Sequence, residues 1–310
     1  MNHFRSFFPA IIIIAGLLFA DDGTFNALMY YQLSGGNGDI TKFDAGRVYL
    51  TYQKKVSETL TYKFQTDINP SVSPKEVYLK NAKVDWVTPL GKMVIGLQGM
   101  NMFNIHEHNW GHRAVEKSTM DLYGFSSSAD MGLGFCPKTN DQLSISVLIT
   151  NGTGYKNQET DSNKKISLQG VYGERNLLKS NGFNTGLSLS LEPYESSLGK
   201  KENRIVSSLF GGISTMKFRA GVEYDILDDS GISGSKTVVS GYGNSTIMQG
   251  LNAFIRADHF DQAGTTEFYG IAGFSYAPEK GLSIIPNIRY TKLDNEDGIY
   301  NYFLTFEVKI

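Results

Sequence analysis

"MKFRAGVEYD", Met216–Asp225, decides the fold. Met216, Phe218, Ala220, Val222 and Tyr224 alternate with Lys217, Arg219, Gly221, Glu223 and Asp225, so one face is apolar and the other largely charged. A period of two belongs to a β-strand and sorts side chains onto opposite faces of a sheet. The pattern recurs along the chain. Leu60, Tyr62 and Phe64 alternate with Thr61, Lys63 and Gln65; Leu282, Ile284, Pro286, Ile288 and Tyr290 with Ser283, Ile285, Asn287, Arg289 and Thr291; Tyr300, Tyr302, Leu304, Phe306 and Val308 with Asn301, Phe303, Thr305, Glu307 and Lys309.

Two architectures use such strands. A soluble sandwich buries the apolar faces in a core. A membrane barrel turns them toward lipid and lines a lumen with the polar faces. The N-terminus favours the barrel. "MNHFRSFFPAIIIIAGLLFA" places Arg5 before an apolar run from Phe7 to Phe19 and ends on Ala20, the layout of a secretory signal peptide with cleavage near Asp21. The expected organisation is therefore a signal peptide over 1–20 and one barrel domain over 21–310. Tyr290, Tyr300, Tyr302 and Phe306 lie near the ends of apolar faces, where an interfacial girdle would place them.

Turn signals divide the mature chain into sixteen strands, at 24–33, 43–54, 59–68, 77–87, 91–99, 128–136, 142–151, 164–172, 183–192, 203–213, 216–227, 236–242, 246–257, 266–277, 281–291 and 299–310. Bacterial single-chain barrels have an even number. Short connections at Val56–Glu58, Thr88–Leu90, Pro137–Asp141, Ser214–Thr215 and Pro278–Lys280 each follow an even-numbered strand, as periplasmic turns do when both termini are periplasmic. The expected fold is thus an all-β transmembrane antiparallel barrel of about sixteen strands, in the outer membrane of a Gram-negative-type bacterium. A barrel of that size is too wide for side chains to fill and leaves an aqueous channel.

Composition removes several alternatives. The chain carries 29 Lys+Arg and 31 Asp+Glu, and loss of Arg5 with the signal peptide gives 28 against 31, a formal charge of −3. Neither nucleic acid nor an anionic surface is an expected partner. One cysteine, Cys136, excludes an internal disulfide framework. No cofactor is implied; the partners are outer-membrane lipid and small polar or ionic solutes.

The longest connection runs from Met100 to Ser127 and is the third external loop. Phe103, Trp110, Tyr123 and Phe125 within it need packing partners, so it is expected to fold into the barrel and narrow the channel. Around it, "VIGLQGMNMFNIHEHNWGHRAVEKSTMD" continues into "SSADMGLGF" and "SISVLITNGTGYKNQETDSNKK". Gly96-Leu97-Gln98 closing a strand, Glu107, Trp110 and Arg113 in the loop, Ala129-Asp130-Met131-Gly132 opening the next strand and Thr150-Asn151-Gly152-Thr153-Gly154 after it resemble the phosphate-selective porin O and P family. That resemblance implies a passive channel, an anion or phosphate preference and a homotrimer. In that family the preference resembles a ladder of closely placed arginines and lysines. Here the inward candidates Arg47, Lys63, Lys83, Lys165, Lys217, Arg219, Arg256 and Arg289 are interleaved with Asp67, Asp85, Glu192, Glu223, Asp225 and Glu307, which gives a field of mixed sign and a weakly selective pore. The constriction candidates are Glu107, Trp110, Arg113, Glu116 and Lys117.

The same loop holds His106, His108 and His112. A zinc protease needs His-Glu-x-x-His on a helix, and the order here is different; Asn109 and Gly111 also weaken a helix. No metal site and no catalytic set is expected, and the histidines read as pH-sensitive charges at a pore mouth. An outer-membrane barrel enzyme of protease or lipase type would have to bring His259, Asp258 and Asp261 to the third loop. A non-conducting structural barrel is the remaining alternative.

Overall fold

The computed structural model describes residues 23–36, 39–159, 161–196, 199–232 and 234–310. The segment expected to be a signal peptide, 1–20, lies outside them. Sixteen antiparallel strands close into a barrel in which each pairs with its chain neighbours and β1 pairs with β16. They are β1 Thr24–Gly36, β2 Asp39–Lys55, β3 Leu60–Asn69, β4 Glu76–Thr88, β5 Gly91–Gly99, β6 Ala129–Pro137, β7 Leu143–Thr150, β8 Lys165–Gly173, β9 Gly182–Glu195, β10 Lys201–Ser214, β11 Phe218–Asp229, β12 Lys236–Met248, β13 Leu251–Gln262, β14 Thr265–Glu279, β15 Leu282–Leu293 and β16 Ile299–Lys309. Closure gives every strand two partners, so no open backbone edge faces lipid.

The outside is apolar. On β11, Val222 and Tyr224 are exposed while Glu223 and Asp225, one position away, are buried inside. Leu187, Leu189 and Leu191 on β9 and Ile205, Leu209 and Ile213 on β10 extend the same exterior. Such a continuous exposed apolar surface is stable in lipid and a liability in water. Among the described residues no helix is long and apolar enough to cross a membrane.

The alternation locates the strands to within a few residues, with one sizeable shift. β12 runs on to Met248 and β13 begins at Leu251, whereas the pattern suggests a break near Gly243. The small polar run Gly243–Ser245 stays paired to both neighbours, and the reversal falls at Gly250, whose φ of 78° suits glycine.

Two bulges change which side chains face inward. In the β3–β4 ladder Gln65 pairs with Asn81 and Thr66 with Leu79, so Lys80 is an extra residue. In β1–β2, Tyr30 pairs with Arg47 and Tyr31 with Ala45, leaving Gly46 over. A bulge resets the period-two parity of its strand.

Candidate functional site: the third loop and the lumen

The loop from Met100 to Ser128 lies inside the barrel. It begins with helix α1, Asn101–Trp110, and contains the single turn α2, Thr119–Leu122. Asn109 and Gly111 do not prevent this helix. Gly111 ends it, at φ 77° and donating its N–H to the Glu107 carbonyl at 2.8 Å. A Cβ there would lie 2.0 Å from Arg219 Nη2, so both the left-handed backbone and the close approach require glycine.

Apolar burial fastens the loop. Met100, Met102, Phe103, Met120 and Phe125 pack on Leu148, Val206, Leu227 and Val238 of the inner wall. Ile105 packs on Val171 and Phe210. Trp110, Ala114 and Val115 pack with Tyr242, Phe254, Tyr269, Ile271, Ile285 and, further along the same arc of wall, Tyr30 of β1. Each large side chain fully buried this way contributes about 1.5–3 kcal/mol.

Polar contacts then set its register. Three inward arginines on alternate strands donate to loop carbonyls. Arg219 of β11 reaches Asn109 O (2.9 Å) and Trp110 O (3.2 Å), Arg256 of β13 reaches Lys117 O (2.5 Å), and Arg289 of β15 reaches Val115 O (2.7 Å). At α1 the donor meets the negative end of the helix dipole. Arg289 also pairs with Glu116 at 3.0 Å, and Arg256 is bound to Asp258 at 2.7 Å with both side chains fully buried. Asn109 and Asn184 exchange amide hydrogen bonds at 2.9 Å, and Asn101 donates to Ser146 Oγ at 3.1 Å. Trp110 donates its indole N–H to Glu116 O at 3.0 Å, folding the tip back on itself.

The lumen left open lies mainly along β1–β6 at its centre and loop side, and along β10–β16 on the turn side. A central cavity of about 370 Å³ adjoins one of about 290 Å³ on the loop side and one of about 400 Å³ on the turn side. Arg113 lines all three. Its Nε donates to Glu107 at 3.0 Å and its Nη2 to Asp121 at 3.3 Å, which fixes the guanidinium in the lining shared by the three cavities. Lys117 lies 3.8 Å from Asp121, so, with Glu116 offset by Arg289 of the wall, Arg113 and Lys117 balance Glu107 and Asp121. Glu107 lines the central cavity, and Glu116 and Lys117 the loop-side one.

The central cavity is strongly one-sided. Lys63, Lys80, Lys83, Lys92, Arg113 and Arg175 line it against Glu107 as the sole carboxylate. Lys63 stands directly opposite Lys83, an arrangement that costs stability and concentrates positive potential. Lys83 is paired with Asp85 at 2.9 Å, whereas Lys63 and Lys92 form no ion pair among the described residues. On the loop side Arg47, Arg113, Lys117, Lys156 and Arg289 surround Glu116. Arg47 there is tied to buried Asp67 at 2.6 Å. Lys217 is exposed in the turn before β11 and, with Arg219, lines the turn-side cavity.

Lys80, Lys92, Lys156 and Arg175 escape the sequence reading. Strict alternation from Asn81 and Lys83 turns Lys80 outward; the bulge brings it in, where it donates to Ser128 and lies 4.0 Å from the Tyr155 ring centre. Lys92 was within reach of the pattern, since it shares a face with Val94 and Gln98.

The histidines divide, which corrects their reading as three charges at a mouth. His106 is fully buried against the wall. His112 stacks on Phe254 at 4.2 Å, and burial together with the charge of Arg219 pushes its pKa down to about 3. His108 lies 3.1 Å from the Arg175 carbonyl. His259 and Asp258 face opposite sides of β13, His259 outward and Asp258 buried inside.

No protein-family model and no curated protein sequence matches the chain. Solved structures do match in fold. OprB of Pseudomonas putida aligns with a TM-score of 0.71 at 9% identity over 96% of both chains. An in-vitro-folded trimer form of OmpT, an outer membrane protein of Vibrio cholerae, gives 0.69 at 12% identity, over 94% of this chain and 100% of that one. An anion-selective porin from Comamonas acidovorans gives 0.69 at 8% identity, over 93% and 99%. The chain has the architecture of the sixteen-stranded outer-membrane porins, with the lipid-facing exterior that location requires.

Proposed function

We propose that this chain is a passive porin that prefers anions, with Arg113 at its narrowest point. The observation that carries the reading is the lining of the central cavity, six basic residues to one acidic. The chain as a whole has a formal charge of −2, so this excess is a property of the lumen and not of the composition. A one-sign lining attracts small ions of the opposite sign and repels the others. The constriction is set by Glu107, Arg113 and Lys117, and the selectivity wall by Lys63, Lys80, Lys83 and Lys92. Arg219, Arg256 and Arg289 act mainly by holding the loop.

Phosphate is the narrower form of the proposal. Lys63 and Lys83 face each other, and Lys80 lies on the same strand as Lys83, an arrangement suited to a multiply charged oxyanion. The channel needs no cofactor and performs no hydrolysis, and it works as a homotrimer, a form one structural neighbour also takes.

A planar-bilayer reversal potential in a potassium chloride gradient tests the central claim. The expected sign is that of anion preference, and cation preference would overturn it. Phosphate added to one side is expected to reduce chloride current; no competition removes the phosphate form alone. Steady turnover of peptide or ester substrates would replace the channel reading with an enzymatic one.

A further inference from the structure

Glu223 and Asp225 stand two residues apart on β11 with both carboxylates facing inward, and α1 lays His106 over them. The three side chains are 0–3% exposed, and their ligand-capable atoms lie within 4.8 Å of one another. Glu223 is engaged on both oxygens, by His106 Nδ1 and by the Thr119 hydroxyl. Asp225 differs. Neither of its oxygens has a hydrogen-bond partner among the described residues, and neither does His106 Nε2. The Ser208 hydroxyl, cross-strand neighbour of Asp225, faces that carboxylate without forming a hydrogen bond of normal geometry.

Buried carboxylates of this kind need a cation or a proton. The nearest fixed cation, Arg256, is already committed to Asp258 and to the Lys117 carbonyl. Two carboxylates and a neutral imidazole carry a charge of −2, which a divalent ion neutralises. One nitrogen with two oxygens suits a zinc-class ion rather than calcium or magnesium, which take six or more oxygens. Ligands about 2.0–2.1 Å from a tetrahedral centre lie roughly 3.3 Å apart, which fits inside the observed cluster after a small opening of the His106–Glu223 contact.

We propose that His106, Glu223 and Asp225 form a binding site for a divalent zinc-class metal ion that fastens the constriction loop to the barrel wall. Ser208 or a water molecule supplies the remaining position. The proton shared by His106 and Glu223 leaves on binding. This inference is independent of which solute the channel carries.

The test uses the full mature chain refolded in detergent with zinc, passed through gel filtration and analysed for metal. The expected result is one zinc per chain, falling at least tenfold in D225N and H106Q and retained in an H108Q/H112Q double variant. Equal retention in wild type and D225N places the metal elsewhere and overturns the proposal. Absence of metal from wild type overturns it too, leaving a protonated Asp225 as the closing group. Should the single variants fail to fold, cobalt in the wild-type protein decides: X-ray absorption must show a nitrogen–oxygen shell with one imidazole, and a shell of two or three imidazoles or of oxygen alone refutes the site.

Discussion

Removing the guanidinium at the narrowing should change ion preference by an amount that can be worked out. At the loop tip Arg113 and Lys117 face Glu107 and Asp121, two charges of each sign. Arg113→Ala leaves a net charge of −1 where solutes pass. A monovalent ion about 5 Å away in water gains or loses roughly 0.8 kcal/mol from one unit charge. Screening at 0.1 M salt trims this to about 0.5 kcal/mol. Anion and cation feel opposite signs, so the permeability ratio shifts by about 1 kcal/mol, or roughly fivefold toward cations. At 0.01 M the Debye length triples and the shift should approach tenfold. These are lower bounds, because the protein wall lowers the effective dielectric constant. Reversal potentials in bilayers at both salt concentrations provide the assay. Arg113→Lys, which keeps the charge, should retain most of the preference, and Glu107→Gln should increase it. A change below about twofold in Arg113→Ala, or one independent of salt, would refute the assignment of Arg113 to the narrowing.

Arg219→Met should loosen the loop rather than alter selectivity. It removes donors to Asn109 and Trp110 carbonyls, a loss of about 2–4 kcal/mol in local stability, read as faster trypsin cleavage at Arg113 and noisier single-channel current. Unchanged cleavage would show that apolar packing alone holds the tip. Deleting residues 104–122 should raise conductance several-fold, and an unchanged value would mean that the loop does not restrict flow. His112 gives a pH effect with a definite sign. Its folded value, about 3, lies below the ordinary imidazole value near 6.5, so its contribution to stability is complete above pH 6.5 and is lost as the pH falls toward 3. His112→Phe should flatten the acid side of a urea-midpoint profile; a profile identical to wild type would contradict the placing of that ring between Phe254 and Arg219.

Part of the site was legible because it depends on spacing alone. Arg47, Lys63, Lys83, Arg219, Arg256 and Arg289 occupy inward positions, as period two requires, and the long third loop with Arg113 stands out by length. What each inward base does was not legible. Arg219 and Lys63 look alike in sequence, yet one holds a helix end and the other faces the open lumen. A faint signal was present in Ile285 and in Leu148, Val206 and Leu227, apolar residues on the inward faces that receive the loop. The inward residues of β3 and the β4 segment Lys80–Asp85 carry no such apolar patch.

The sequence by itself determined a closed antiparallel barrel with an even number of strands, about sixteen, because alternation is a local property and parity constrains the turns; the structure sets the count at sixteen. Only the tertiary structure decided which sector of the wall the loop covers, through contacts between residues a hundred or more apart, such as Arg219 with Asn109. It also decided, through the bulge at Lys80, which charges join the lumen. Above all it placed His106 over Glu223 and Asp225, a meeting that no spacing along the chain encodes. Period two fixes inside from outside; position around the circumference is set by long-range packing.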